Sequence, residues 1–174
     1  MVEIDHVGPN CRRMPGLSPF TQPREPNLKP VQLVVFFDTP PTGVWAELGD
    51  LASHPQWMGD AETVEFLDSR TRGVGTRMRV PTRIGPLRVT DVMTVVGWEE
   101  GQLIEVEHVG SVSGVGRFEI RPSGSGTELR WSETLRFPWW MGGMFGAWLA
   151  RPILRRVWRG NLERLRQRVE VSGP

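Results

Sequence analysis

The 174 residues are enough for one domain with a sizeable core, and 39% hydrophobic and 24% charged residues are typical of soluble globular proteins. A net charge of +1 gives no overall electrostatic reason to expect nucleic-acid binding. The single cysteine, Cys11, excludes an intrachain disulfide.

The first 30 residues are rich in proline and show little periodicity, which predicts an extended arm over residues 1–30. We therefore place the folded domain at residues 31–174. The N-terminus has no basic start followed by an apolar run, and no stretch approaches the about 20 apolar residues that span a bilayer. We expect a cytoplasmic protein.

The domain begins with a strand followed by two short helices. The apolar, β-branched run VQLVVFF predicts a strand over 31–37, and prolines mark a turn at 38–41. The helix that follows has one apolar face, formed by Val44, Trp45 and Leu48. The segment 53–60 predicts a second helical turn, with Ser53 as its cap and Pro55 near its first position.

From residue 61 the pattern alternates with period two, which is typical of strands. Six strands are predicted, at 63–68, 76–80, 87–98, 103–109, 112–122 and 127–137. The alternation turns Glu105 and Glu107 outward. The inward side chains are Met78, Val80, Ile104, Val106, His108, Phe118 and Ile120.

The C-terminal third predicts a long helix. Its apolar stripe is formed by Leu154, Trp158, Leu162, Leu165 and Val169, at helical spacing. Arginines occupy the other faces. Because Pro152 lacks a backbone donor, we expect a loose first turn or a kink there and a firm helix from about residue 153.

This order of elements predicts an α+β domain, in which about seven antiparallel strands form a curved sheet around the C-terminal helix. A curved sheet need not close its core completely. Gly114 and Gly116 lie on the inward side of their strand, where they leave room for a cavity.

Four stretches of the chain resemble the START-like, helix-grip superfamily, which includes polyketide cyclase/dehydrases, START lipid-transfer domains and birch-pollen-allergen proteins. They are DTPPTGVWAELGDLASHPQWMGD (38–60), GVGTRMRV (73–80), WEEGQL (98–103) and GTELRWSETLRFP (126–138). The arginine-rich C-terminal helix also fits, so the resemblance covers roughly residues 31–170.

The resemblance implies a deep apolar cavity between sheet and helix that holds a lipid, a polyketide or another apolar molecule. Trp57 would cap its mouth, and the entrance would lie near the start of the long helix, at Met144, Phe145 and Trp148. The expected wall residues are Phe66, Met78, Val80, Ile104, Val106, His108, Phe118, Ile120 and Trp131. The alternative for these side chains is an ordinary filled core.

Two inward polar residues are the candidates for catalysis. His108 could act as a general base or donate to a ligand carbonyl; the alternative is a structural histidine at a strand end. Glu133 could act as an acid or base inside the cavity, paired with Arg136 or Arg88; the alternative is a salt bridge at the edge of the sheet, or a bulge that turns Glu133 outward. The direction of Asp91 is left open because neither face of its strand is cleanly apolar.

The chain contains no tyrosine, so a mechanism that needs a phenolic donor is excluded. Binding without chemistry is therefore our preferred interpretation, and a polyketide cyclase or dehydratase is the alternative. The three histidines lie far apart without metal-ligand spacing, and no phosphate or dinucleotide loop is present, so we expect no metal and no cofactor.

The tryptophan- and arginine-rich segment 138–158 supports a third interpretation. Such a segment could dock at a membrane surface or on a protein partner. The alternative, which we prefer, is that its aromatic residues fill the core and its arginines face water. Without stacking motifs, the arginines predict no RNA partner.

Overall fold

The computed structural model describes residues 29–172. These residues contain seven strands: β1 (Val31–Phe37), β2 (Glu65–Phe66), β3 (Arg77–Ile84), β4 (Leu87–Glu99), β5 (Leu103–Gly110), β6 (Ser113–Ser123) and β7 (Gly126–Arg136). The helices are α1 (Pro41–Leu48), a first 3₁₀ helix (Leu51–Gln56), a second 3₁₀ helix (Trp139–Met141) and α2 (Gly143–Ser172). Residues 1–28 of the predicted arm lie outside the described residues.

The strands form one antiparallel sheet in the order β1-β7-β6-β5-β4-β3-β2. From β2 to β7, each strand pairs with the next in sequence, and β1 completes the sheet beside β7. The sheet is curved and open, and α2 packs against β1 and β7. The predicted α+β architecture is confirmed.

The core lies between the concave face of the sheet and α2. All five residues of the predicted helix stripe are buried, and Leu165 has no exposed surface. The inward strand residues from Met78 to Trp131 face this stripe, as the alternation predicted. Because burying one large apolar side chain is worth about 1.5–3 kcal/mol, this stripe is what holds α2 on the sheet.

The strand predicted at 63–68 is wrong in length, because only Glu65 and Phe66 pair with β3. Continued in the same register, Thr63 would lie opposite Pro81, which has no N–H to donate. The register instead shifts by one residue, so that Ala61 pairs with Thr82 in an isolated bridge.

The predicted cap of the second helix is also wrong. The 3₁₀ helix begins at Leu51 and its cap is Asp50, whose Oδ1 accepts from the N–H of Ala52 at 3.2 Å. Ser53 lies inside the helix, where its hydroxyl donates to the carbonyl of Asp50 at 2.8 Å. Asp50 has the same capping chemistry as serine and stands three residues earlier.

The start of the long helix differs most from the prediction. The helix α2 begins at Gly143 and runs through Pro152 without interruption. Gly142 and Gly143 have φ angles of 84° and 53°, which only glycine adopts readily, and they turn the chain sharply into the helix. Pro152 is exposed, so water can reach the Trp148 carbonyl that loses its helical partner.

Candidate functional site

A cavity of about 150 Å³ lies between the sheet and α2. Its walls come from the first 3₁₀ helix, from β3 to β7 and from α2, and most of them are apolar. The polar residues among them are His54, Asp60, Thr82, Asp91, His108 and Glu133. An apolar cavity of about this volume can hold one aromatic ring.

Seven of the predicted binding residues line this cavity. They are Met78, Val80, Ile104, Val106, His108, Phe118 and Trp131. Phe118 and Trp131 stack at 4.9 Å between ring centroids, and Trp131 stacks on Trp158 of α2 at 5.1 Å. The aromatic wall therefore joins the sheet to the helix.

Three other predicted binding residues lie away from the cavity. Trp57, predicted to cap its mouth, has no exposed surface and packs against His54 and Phe118, with centroid distances of 4.8 and 6.4 Å. Ile120 is buried and Phe66 half-buried, and both belong to the core. Trp57 directly follows the first 3₁₀ helix, and its ring is buried in the core instead of lying at an opening.

The predicted entrance residues lie on the surface at the start of α2. Met144, Phe145 and Trp148 are each more than 60% exposed and do not line the main cavity. Met144 and Trp148 instead line a second cavity, of about 140 Å³, together with Arg151. The two cavities share wall residues and therefore adjoin. The shared residues are Glu133, Leu135, Phe137 and Leu154.

The two predicted catalytic residues meet in the main cavity. Nε2 of His108 lies 2.9 Å from Oε1 of Glu133, and both side chains are mostly buried. The other carboxylate oxygen, Oε2, accepts from Nε1 of Trp131 at 2.9 Å. Glu133 therefore points inward, is held from two sides and is not turned outward by a bulge. Arg88 pairs with Glu62 instead.

Gly116 makes this meeting possible. His108 lies on β5 and Glu133 on β7, and β6 runs between these strands, which places their backbones roughly 10 Å apart. Gly116 pairs with Glu133 in the sheet, and a Cβ added to it would lie 2.5 Å from the carboxylate. The missing side chain leaves the space through which Glu133 crosses β6.

The ion pair raises the pKa of His108 above its ordinary value of 6.5. Burial by itself lowers that pKa, but the contact with Glu133 and the nearby charges of Glu133 and Asp91 outweigh it. The carboxylate therefore stabilises the charged imidazolium. It can give a proton to a bound molecule, and the neutral form can take one back.

Asp91, whose direction the sequence left open, faces the cavity. It is 5% exposed, and its Oδ1 accepts from the N–H of Val112 at 3.3 Å. Asp91 pairs with Gly110 while His108 pairs with Met93, which sets Asp91 and His108 diagonally on the same face. A second carboxylate therefore stands near the imidazole.

A polar cluster at the helix side of the cavity was missed. Asn161 has no exposed surface, accepts from the N–H of Gly59 at 3.1 Å and donates to Oδ1 of Asp60. Arg164 donates to Asn161 and to the carbonyl of Trp57 at 2.9 Å. Burial raises the pKa of Asp60. The available signal was a polar residue, Asn161, between Trp158 and Leu165 on the apolar face of α2.

His54 was also missed, since it lies in a short loop-like helix without periodicity. Nε2 of His54 bonds the carbonyl oxygen of Leu48 at 2.8 Å. Burial lowers the pKa of His54 to about 4. The ring is therefore neutral at pH 7, with Nε2 as the donor. Within residues 29–172, no three His, Cys, Asp or Glu side chains come together as metal ligands would.

A curved antiparallel sheet around a long C-terminal helix, with a cavity between them, defines a START-like, helix-grip protein. The model of the family described as "Polyketide cyclase / dehydrase and lipid transport" matches residues 30–170. The chain belongs to this family, and the resemblance seen in the sequence is confirmed. Comparison with curated protein sequences gave no significant match.

Solved structures share the fold at low sequence identity. TTHA0849 from Thermus thermophilus superimposes with a TM-score of 0.70 at 19% identity, covering 83% of this chain and 99% of that one. A START superfamily protein from Mycobacterium smegmatis gives 0.67 at 17%, covering 83% and 99%. The Zhui aromatase/cyclase from a Streptomyces species gives 0.63 at 17%, covering 82% and 93%.

Of the helices in residues 29–172, none has the length and apolarity to cross a membrane.

Proposed function

We propose that this protein binds a hydrophobic small molecule, lipid-like or polyketide-like, and acts as its carrier or sensor in the cytoplasm. The observation that carries the proposal is the cavity of about 150 Å³, which stays open inside a core whose neighbouring residues are buried. Protein interiors otherwise contain few voids larger than a water molecule. An apolar guest would gain about 25 cal/mol per Å² of buried surface, less its ordering costs.

Native mass spectrometry of the purified protein tests this function. We expect a co-purifying apolar ligand that denaturation releases. Val106 faces the cavity opposite Gly116, so Val106→Phe should fill the space and remove the ligand. Val115→Phe, on the outer face of β6, is the matched control. Ligand-free wild type, or equal retention by Val106→Phe, would contradict the proposal.

The contact between His108 and Glu133 favours a second candidate, an enzyme of the polyketide cyclase or dehydratase type. In a dehydration, neutral His108 would take a proton from the carbon next to a carbonyl and pass it to a β-hydroxyl, which leaves as water. Glu133 would stabilise the imidazolium formed between these steps. Replacing either residue with Ala should abolish turnover of a β-hydroxy ketone substrate, while the apolar walls of the cavity still retain a ligand. If the wild-type protein shows no turnover, the enzyme candidate falls and the carrier function remains.

The exposed start of α2 favours a third candidate, docking on an anionic membrane. The outward side chains of its first turns are apolar: Met144, Phe145, Trp148, Leu149 and Ile153. Over the next two turns the same face carries exposed arginines, Arg155, Arg156 and Arg159. Trp139 and Trp140 extend the apolar end. Aromatic residues at the tip with arginines behind them match an acyl boundary beneath anionic headgroups.

Flotation with anionic vesicles tests docking. We expect wild type to float and the double variant Trp139→Ala/Trp140→Ala to stay in the lower fractions. Val171→Ala, which removes an exposed apolar side chain from the far end of α2, is the control. Wild type that does not bind the vesicles would contradict this candidate without affecting the cavity proposal.

A further inference from the structure

The charged groups around the main cavity are almost all acidic. Three carboxyl groups line it, from Asp60, Asp91 and Glu133, and the described lining residues include no lysine or arginine. The other titratable groups in these described walls are His54 and His108. Any ligand of the cavity must be compatible with this excess of acidic groups.

The two histidines do not offset the acidic groups. His54 is buried and its Nε2–H donates to the carbonyl of Leu48, so this ring is neutral and occupied. His108, when charged, faces Glu133 at 2.9 Å and neutralises that one carboxylate. The carboxylate of Asp91 accepts a hydrogen bond from the N–H of Val112, which does not neutralise its charge. Among the described lining residues, a ligand anion would find no free positive charge.

The guanidinium groups of Arg151 and Arg164, both on α2, bind other partners. Arg164 donates to Asn161 and to the Trp57 carbonyl, outside the cavity wall. Arg151 donates to the carbonyls of Lys29 and Pro30 at 2.8 and 3.0 Å. Neither guanidinium lines the main cavity, so neither is placed to receive a carboxylate there.

We propose that the cavity selects apolar molecules that carry a hydrogen-bond donor, either a neutral hydroxyl or an ammonium group, and rejects molecules that carry a carboxylate. The donor would be received by the carboxylate oxygens of Asp91 and Glu133. A buried carboxylate on the ligand would instead lie against like charge without a countercharge, which is strongly unfavourable. This selectivity rests on the proposed binding function and specifies its ligand class.

A series of ring-sized probes tests the charge selectivity separately from the binding function of the cavity. NMR titrations at neutral pH would compare toluene, benzyl alcohol, benzylamine and benzoate, which are nearly equal in size. We expect benzyl alcohol and benzylamine to bind at least tenfold more tightly than benzoate. If toluene binds but benzoate binds as well as benzyl alcohol, the selectivity is refuted and the cavity function stands. If none of the four binds, both fall.

Isosteric variants test the cause of the selectivity. Asp91→Asn and Glu133→Gln each remove one negative charge from the cavity and keep the side-chain shape. Each should improve benzoate binding relative to benzyl alcohol by at least threefold. Glu107→Gln removes the same charge from the outer face of β5, where Glu107 is exposed, and should leave the ratio unchanged. An unchanged ratio in both cavity variants would overturn the proposal; either variant alone suffices if the other fails to fold.

Discussion

Glu133 of β7 reaches His108 of β5 over Gly116, on the strand that separates them. The carboxylate occupies the place that any larger residue at position 116 would fill with its own Cβ. The ion pair in the cavity therefore depends on a residue that contributes no side chain to it.

Gly116→Ala should break the ion pair. The added methyl group would lie 2.5 Å from Oε2 of Glu133, so the carboxylate must move away. Without that neighbour, burial dominates and the pKa of His108 should fall from its raised value to below 6.5. NMR titration of the imidazole measures this. Val115→Ala, the next residue on the outer face, is the control. A His108 pKa that stays raised in Gly116→Ala would contradict the crossing geometry.

The pH dependence of stability should carry the signature of His108. Because its pKa is raised in the folded state, protonated His108 contributes stability that is fully present below pH 6.5 and is lost as the pH rises through the folded-state pKa. His108→Gln should therefore lower the free energy of unfolding more below pH 6.5 than at about pH 9. Urea denaturation over this range gives both values. An equal loss at both ends would argue against an ion pair.

His54 should produce the opposite slope. Its folded-state pKa is lowered to about 4, so between pH 6.5 and about 4 the unfolded chain binds a proton that the folded chain does not. Stability should fall by about 3 kcal/mol as the pH drops through this range. His54→Gln keeps a donor for the Leu48 carbonyl without a titrating group. Urea denaturation of this variant should therefore show a smaller loss of stability between pH 6.5 and about 4 than wild type shows. An equal loss in both proteins would contradict a lowered pKa of His54.

Asn161 should contribute strongly to the docking of α2. Asn161→Ala removes the acceptor of the Gly59 N–H and the donor to Asp60, two hydrogen bonds that are each partly buried. We expect a loss of roughly 1–3 kcal/mol in the free energy of unfolding. Arg159→Ala changes an exposed residue of the same helix and should cost less than about 0.5 kcal/mol. Similar losses for the two variants would contradict this role.

The fold was predictable because its signals are periodic. Alternation placed Met78, Ile104 and Phe118 on the inner face, and helical spacing placed Leu154 and Leu165 on the stripe that meets them. Each pattern shows which side chains are buried, and burial determines whether such a segment folds as a strand or as a helix. The helix boundaries at Asp50 and Gly143 carry no such periodic signal. Several residues at each boundary could serve as a cap or start, and tertiary contacts choose among them.

The site was predictable only in part. Alternation turned His108 and Glu133 inward, but their contact depends on which strands are neighbours and on the gap at Gly116. No local pattern encodes that distance. Asp60 and His54 lie in short irregular segments without a period, so their approach to the cavity follows from the path of the chain. Trp57 was misplaced for the same reason.

The proposed function requires that the space between the sheet and α2 receive an apolar guest. This binding can be measured by calorimetric titration of wild-type protein with toluene, alongside Val106→Phe and the outer-face control Val115→Phe. Circular dichroism would establish that the three proteins are folded, and Val80→Phe would replace Val106→Phe if that variant is not. We predict saturable one-to-one binding by wild type and Val115→Phe, and none by the filled variant. Wild type without saturable binding, or a filled variant that binds equally well, would show that the cavity does not receive an apolar guest.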